Sequence, residues 1–480
     1  MRFWIPAALA AYLLFFYRLT GTGLVGPDEP RYAWVAREMA RAGDWVTPRL
    51  WGEPWFEKSP LLYWMTAAAF RAGLNQDWAP RLPVALLSVA FLVFFYWRMK
   101  TEFGFLAAGY AVAVLGTSAG WVAYSHAAVV DLPLTATFGA AMLCLLGWCE
   151  RREPAGLLPF AALLGLAVLA KGLVGLALAG FTLLVWAARM GAPPLLDFAR
   201  PRVGLTFAAV AGPWYVLCYA RNGPAFVEEF FWRHHFGRYL SGALEHGQPL
   251  WFLVPALLAA LVPWTPLLAA LDAAICWRDR RGYFLSSWAL STLVFFSLSR
   301  DKLPGYILPA LPALAALAGM AWARQAAPRG LLTLCSALLA LMPVAATVLP
   351  AALETGLRDA LSEARFPLVA LAAAGLLVIL VGAAEWAGRR RLAFAAVALC
   401  TVGGYVVMKQ TTFSLIDRRA GARAVWRQAQ PHRDSLCLGQ VRRHLAYGLH
   451  YYAGQRLPEC SEASKPYRVE GGQIVSGLGF

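Results

Sequence analysis

The sequence predicts an all-α polytopic membrane protein of about thirteen transmembrane helices, with short helices lying on its outer face and a small α/β domain at its C-terminal end. Three observations predict it. Of 480 residues, 59% are hydrophobic and 15% are charged, with a mean hydropathy of +0.54, far from the balance of a soluble domain. Apolar runs near the roughly 20 residues needed to cross a bilayer recur along the chain. The loops between them alternate, one set basic and the other chemically diverse.

The runs fall at 3–20, 80–99, 104–122, 132–149, 155–170, 172–188, 203–220, 251–275, 283–298, 304–323, 331–350, 366–386 and 392–408. The first has no small-residue cleavage site at its end and reads as a retained helix rather than a secretory signal. Taking the connections alternately, one set carries Arg98 and Lys100, Arg151 and Arg152, Arg189, Arg200 and Arg202, Arg278, Arg280 and Arg281, Arg324 and Arg329, then Arg389, Arg390 and Arg391. Short basic loops belong in the cytoplasm, which puts the N-terminus there too. These loops carry much of the net charge of +16, and no basic stripe marks a soluble domain, which argues against a nucleic-acid partner.

The other loops then face the periplasmic or extracellular side. They hold residues 21–79 with Asp28, Glu29, Glu57 and Lys58, then "HAAVVDLP" with Asp131, "LAKG" with Lys171, residues 221–250, and "SRDKLPGYILP" with Lys302 and Tyr306. Ionisable groups at helix ends are costly in hydrocarbon, so their gathering at one face suggests a shared site. Glu29 before Pro30 is a helix start. Tyr32, Val35, Ala36, Met39 and Ala40 then recur at helical spacing, giving a short amphipathic helix along the membrane surface, ended near Gly43. A second short helix is expected near 60–72. On spacing alone, Asp28 and Asp131 read equally well as helix caps, and Lys171 as a lysine reaching for the interface.

The run "DEPRYAWVAREMARAGDWVTPRLWGEPWFEKSPLLYW" resembles the first periplasmic loop of the bacterial lipid A aminoarabinose transferases, within the protein O-mannosyltransferase-like C-type glycosyltransferases. "VVDLPLT", "VLAKGLVG", "FFWRHHFGRYL" and "SRDKLPGYILPALPALA" extend the resemblance over roughly residues 1–325, and beyond about 330 only the hydropathy plan is alike. The resemblance implies an enzyme that moves a sugar, 4-amino-4-deoxy-L-arabinose, from an undecaprenyl phosphate carrier to a lipid A phosphate at the periplasmic face of the inner membrane. It places Asp28, Lys58 and Asp131 in catalysis, with Asp131 orienting Lys58, and Lys58, Lys171 and Arg238 at the donor phosphate. Glu29, Tyr32, Lys302 and Tyr306 are expected to bind substrate. Glu57 and His235 resemble a pair that holds a divalent metal such as zinc, although two protein ligands make a weak site and no cofactor is expected to be required. The same chemistry on another sugar, another lipid or a protein is the nearest alternative. A transporter or flippase is more remote, since paired broken helices and half-to-half symmetry are missing from the pattern.

The expected division is a transmembrane domain at 1–409, including outer loops 21–79 and 221–250, and a periplasmic domain at 410–480. A monomer is expected. Cys144, Cys149, Cys218, Cys276, Cys335 and Cys400 lie in or beside apolar spans and act as small hydrophobes. Cys437 and Cys460 lie in the tail, where a disulfide can persist. There "DSLCLGQV" reads as a strand, "RRHLAYGLHYYAG" as a helix or strand, and "YRVEGGQIVSG" completes a small α/β cap.

Overall fold

A computed structural model describes residues 4–191, 193–237, 247–272, 274–324, 327–463 and 465–476. Seven of its helices are long and apolar enough to cross a membrane: Trp78–Thr117, Asp131–Arg151, Pro154–Lys171, Pro201–Asn222, Pro304–Ala323, Leu368–Trp386 and Arg390–Arg419. An eighth span is reached if the pair Leu331–Leu339 and Met342–Thr355, bent by 46°, counts as one. The other expected runs form shorter or interrupted helices, among them Ile5–Phe16, Val174–Met190 and Leu250–Ala260. Sequence accounts for the interruptions. Pro263 and Pro266 follow the last of these, and Pro343 follows the bend; proline removes a donor and clashes with the preceding turn. Trp78–Thr117 holds the runs expected at 80–99 and 104–122, parted at Gly104, whose φ of 84° is open to glycine and strained for other residues.

Asp131–Arg151 is buried along its apolar length, packed between Trp78–Thr117 and Leu157–Lys171. It links two polar ends of the bundle. At one end the buried Glu102 pairs with Arg98 at 3.2 Å, Arg151 at 3.1 Å and Arg281 at 3.5 Å, so three separate basic segments converge. Asp131 stands at the opposite end of the same helix, about 30 Å away at 1.5 Å per residue.

A second buried carboxylate organises that opposite end. Glu29 accepts hydrogen bonds from Arg81 Nε and Nη2 at 3.0 and 2.8 Å, from the Val25 N–H at 2.8 Å and from the Ala128 N–H at 2.7 Å. The same guanidinium donates to the carbonyls of Thr22 and Gly23. Both oxygens of Glu29 are thus saturated within the protein at 4% exposure. This geometry makes Glu29 part of the scaffold at that end.

The helix Arg390–Arg419 runs past the boundary expected at 409, because Lys409 is buried and donates to the carbonyls of Leu13, Leu14 and Tyr17 at the end of the first helix. After Gly421 come the helix Ala422–Ala429, the strand Leu436–Leu438, the helix Arg443–Ala453 and a hairpin of Tyr467–Glu470 with Gln473–Ser476. Leu436–Leu438 pairs in parallel with Tyr467–Glu470, which pairs antiparallel with the last strand. The residues 443–453 left open as helix or strand are helical, and Cys437 is bonded to Cys460. This unit sits on the helix Asp28–Ala42: Arg37 donates to the Tyr451 carbonyl at 2.9 Å, and Trp51 stacks on Tyr447 with centroids 5.5 Å apart.

Arg81→Met should destabilise the protein by about 3–5 kcal/mol, the usual result of leaving one member of a buried ion pair alone. Thermal unfolding in detergent measures it, and an unchanged midpoint would remove Glu29–Arg81 from its structural role. Cys437 and Cys460 should resist alkylation until reduced, and opening the bridge should lower the stability of the C-terminal unit by about 2–4 kcal/mol. Free thiols at both positions in mass-spectrometric mapping would refute the bridge.

Candidate active site

The helix Asp28–Ala42 begins with an acid, and three residues on, one turn away on the same face, comes a base. Arg31 Nη2 donates to Asp28 Oδ1 and also reaches Glu57 Oε2 at 3.1 Å. Lys58 Nζ lies 3.3 Å from Glu57 Oε1. Among the described contacts the Asp28 carboxylate serves Arg31 and not the first turn's backbone N–H groups, which sets aside the cap reading. It keeps 39% of its side chain exposed, against 6% for Arg31 and 2% for Glu57, so it is the accessible acid of the group. Burial opposes the charge on Arg31, but Glu57 first and then Tyr32 and Asp28 overcome it and hold the guanidinium protonated. Tyr32 and Tyr63 meet edge to face at 6.0 Å, and burial keeps both phenols neutral.

The second half of the cluster comes from three helix ends. Lys171, the last residue of Leu157–Lys171, donates to Asp131 Oδ1 at 2.6 Å, and its Nζ lies 4.5 Å from the centroid of the Tyr306 ring. Asp131 therefore meets Lys171, where the sequence pointed to Lys58. It is again not a cap among the described hydrogen bonds. Tyr306 lies on the turn Pro304–Ala310, where Gly305 lets Tyr124 approach: a Cβ there would stand 2.5 Å from the Tyr124 hydroxyl. Glu29, next to Asp28 in the chain, accepts from the Ala128 N–H three residues before Asp131, which brings the two halves to one end of the bundle.

Of the other expected residues, Tyr32 is buried beside Arg31, with 3% exposed. Lys302 is buried, donating to the carbonyls of Ser299 and Gln248, and so anchors its own loop. Arg238 and the side chain of His235 lie outside the described residues. Glu57 sits between the cations Arg31 and Lys58, a setting that disfavours a divalent ion, and among the described residues no three His, Cys, Asp or Glu side chains converge. The sequence reading missed Arg31, Tyr63 and Tyr124. Arg31 had a signal, its one-turn spacing from Asp28. Tyr447 of the C-terminal unit had none, yet its ring centroid lies 5.6 Å from the Arg31 guanidinium.

The arrangement alternates cations and carboxylates at the end of a water-poor bundle. It can grip an anionic oxygen with Lys58 and Lys171, since charge-assisted contacts of this kind are the strong ones, while Asp28 presents an accessible acceptor for a proton or an amine.

A family model described as dolichyl-phosphate-mannose-protein mannosyltransferase matches residues 57–214. The undecaprenyl phosphate-alpha-4-amino-4-deoxy-L-arabinose arabinosyl transferase 2 of Pseudomonas fluorescens is 31% identical over 325 residues, 65% of this chain and 54% of the relative. A Pseudomonas aeruginosa transferase of the same type is 33% identical over 329 residues, 64% of this chain and 57% of the relative. The chain thus spans little more than half the length of these relatives. A crystal structure of ArnT from Cupriavidus metallidurans bound to undecaprenyl phosphate superposes with a TM-score of 0.73 at 26% identity, covering 95% of this chain and 85% of that one. On sequence and on fold together, the chain is a multi-pass membrane protein similar to the undecaprenyl phosphate-alpha-4-amino-4-deoxy-L-arabinose arabinosyl transferases.

Proposed function

We propose that the chain is a glycosyltransferase of the bacterial inner membrane that moves 4-amino-4-deoxy-L-arabinose from undecaprenyl phosphate to a lipid A phosphate. The observation that carries this reading is the gathering at one end of the bundle of two ion-paired groups, Asp28 with Arg31, Glu57 and Lys58, and Asp131 with Lys171. In the reaction the bond from the sugar's anomeric carbon to the carrier phosphate breaks, and that carbon bonds to an acceptor oxygen. The carrier leaves as its free phosphate. Lys58 and Lys171 meet the charge that develops on this leaving oxygen, the kind of electrostatic stabilisation that usually dominates such steps. Asp131 and Glu57 hold the two ammonium groups in place beforehand. Asp28 orients the acceptor or binds the sugar's amino group; an acceptor phosphate is already ionised at neutral pH and needs no base. Arg238 remains a proposed third contact to the donor phosphate.

The basic convergence around Glu102 supports placing that end in the cytoplasm and the cluster at the periplasmic face. On this reading the N-terminus is cytoplasmic, and the C-terminal unit periplasmic with its disulfide. A second reading keeps the chemistry and changes the acceptor to another lipid phosphate. It is favoured by the incomplete coverage of the relatives, 54% and 57% of their lengths.

Purified protein given a synthetic lipid-linked aminoarabinose and lipid A should yield the modified lipid by mass spectrometry; no transfer to any lipid phosphate would sink the proposal. Asp28→Asn should lower turnover by about 10²–10⁴-fold, the range of a positioned acid or base, in a protein that still elutes and melts normally. Lys58→Met and Lys171→Met should each abolish most transfer and weaken inhibition by free undecaprenyl phosphate. Lys→Arg should rescue only partly, since a planar fork does not replace a compact ammonium. Unchanged product inhibition in both Met variants would remove the lysines from the phosphate. Reporter fusions after Arg152 and Arg281 should report cytoplasm, and those after Lys171 and Lys302 the periplasm. The reverse pattern would overturn the topology.

A further inference from the structure

Away from this cluster, a cavity of about 360 Å³ lies where the helices Asp28–Ala42 and Leu61–Arg71 both end, lined by Arg37, Arg41, Arg71, Phe70, Leu74 and Gln76. Three arginines face one apolar-floored hollow. Arg37 is 7% exposed and is held rigidly: its guanidinium lies 4.5 Å from the Trp34 ring and 4.6 Å from the Tyr451 ring, and Nη1 donates to the Tyr451 carbonyl. Its Nε and Nη2 are buried with no hydrogen-bond partner. Buried donors left open in this way are rare and call for an acceptor. Burial, and then the neighbouring Arg41, push the Arg37 guanidinium below its ordinary value, so its charge is poorly compensated within the protein. The nearest acid on the helix, Glu38, is occupied by the Trp34 indole N–H and the Gly52 N–H. Two helix carboxyl ends contribute partial negative charge here, so any anion must be held by the arginine side chains themselves.

We propose that Arg37, Arg41 and Arg71 form a second anion site, for a phosphate borne on a lipid. Arginine suits that ligand because its planar fork matches phosphate oxygens in pairs. Phe70, Leu74 and Ala40 supply an apolar wall for the lipid's body. Arg37 follows Asp28 by nine residues on one helix, about 13 Å along its axis. Nine residues at about 100° each also turn Arg37 about half-way round the helix from Asp28, so the hollow is apart from the cluster, and one source of the phosphate is an acceptor glycolipid that carries a second phosphate away from the reacting one. The proposal rests on the glycosyltransfer reading for that source of the phosphate. A bilayer phospholipid headgroup is the other source of the same chemistry.

The test uses the full-length protein and the exposed pair, since Arg37 also clamps the C-terminal unit. Arg41→Gln/Arg71→Gln should raise KM for a bisphosphorylated lipid A about tenfold with donor KM unchanged, and should not alter KM for the acceptor lacking the remote phosphate. In parallel, retention of phosphatidylglycerol from mixed vesicles is measured by mass spectrometry. An acceptor-specific KM effect assigns the site to the acceptor; unchanged KM with lost phosphatidylglycerol assigns it to a bilayer lipid. Unchanged KM together with unchanged lipid retention overturns the site. If the wild-type chain transfers no sugar, the glycosyltransfer reading fails, and lipid retention alone decides the arginine site.

Discussion

The buried pair of Glu29 with Arg81 fixes where the groups at the candidate-site end of the bundle can stand. Its two side chains tie together the segment after the first helix at Thr22 and Gly23, the start of Asp28–Ala42, the first turn of Trp78–Thr117 and the backbone at Ala128. Asp28 is the residue next to Glu29, and Asp131 follows Ala128 by three. Two of the three carboxylates of the candidate site, Asp28 and Asp131, are therefore placed by one ion pair that touches neither lysine. Such a pair adds little net stability, because desolvating both charges offsets most of their attraction. What it adds is position: four strands of backbone donors and acceptors are satisfied in only one arrangement.

The same logic explains why the candidate site is built from matched charges and not from a row of free cations. A lysine at the edge of hydrocarbon would shed its proton or reach for the interface if it stood alone. Asp131 at 2.6 Å and Glu57 at 3.3 Å keep Lys171 and Lys58 in place. An arriving phosphate then competes with carboxylates that already hold the lysines oriented, so little side-chain ordering remains to be done at the moment of binding.

Much of the fold was legible because a bilayer leaves few choices: apolar runs near twenty residues must be helices, and the basic loops that converge on Glu102 declare their shared side. The candidate site was legible as residue types, and Asp28, Lys58, Asp131 and Lys171 do gather at one end. Their pairing was not, since hydropathy carries no information on which helix ends adjoin. Asp131 and Lys171 meet because the helices they begin and end are packed neighbours. The partners of Glu29 were hidden as well, since its four hydrogen bonds come from segments up to 99 residues away. Lys409 misled in the same way. A lysine after an apolar run reads as the end of a span, and its carbonyl partners at Leu13, Leu14 and Tyr17 are far off in sequence.

The C-terminal unit was visible only as a pattern of strands and a helix, and its bearing on the site came from tertiary packing. Tyr447 lies against Arg31 and Trp51, while Tyr451 and Trp34 enclose Arg37. One helix of that unit, Arg443–Ala453, thus presses on two arginines two turns apart on Asp28–Ala42, one inside the candidate site and one in the outlying cavity. Aromatic faces hold a guanidinium flat while leaving its N–H edge open to an anion. A disulfide-bonded domain added at the end of a membrane bundle can in this way set the reach of charges that the bundle alone would leave to side-chain rotation.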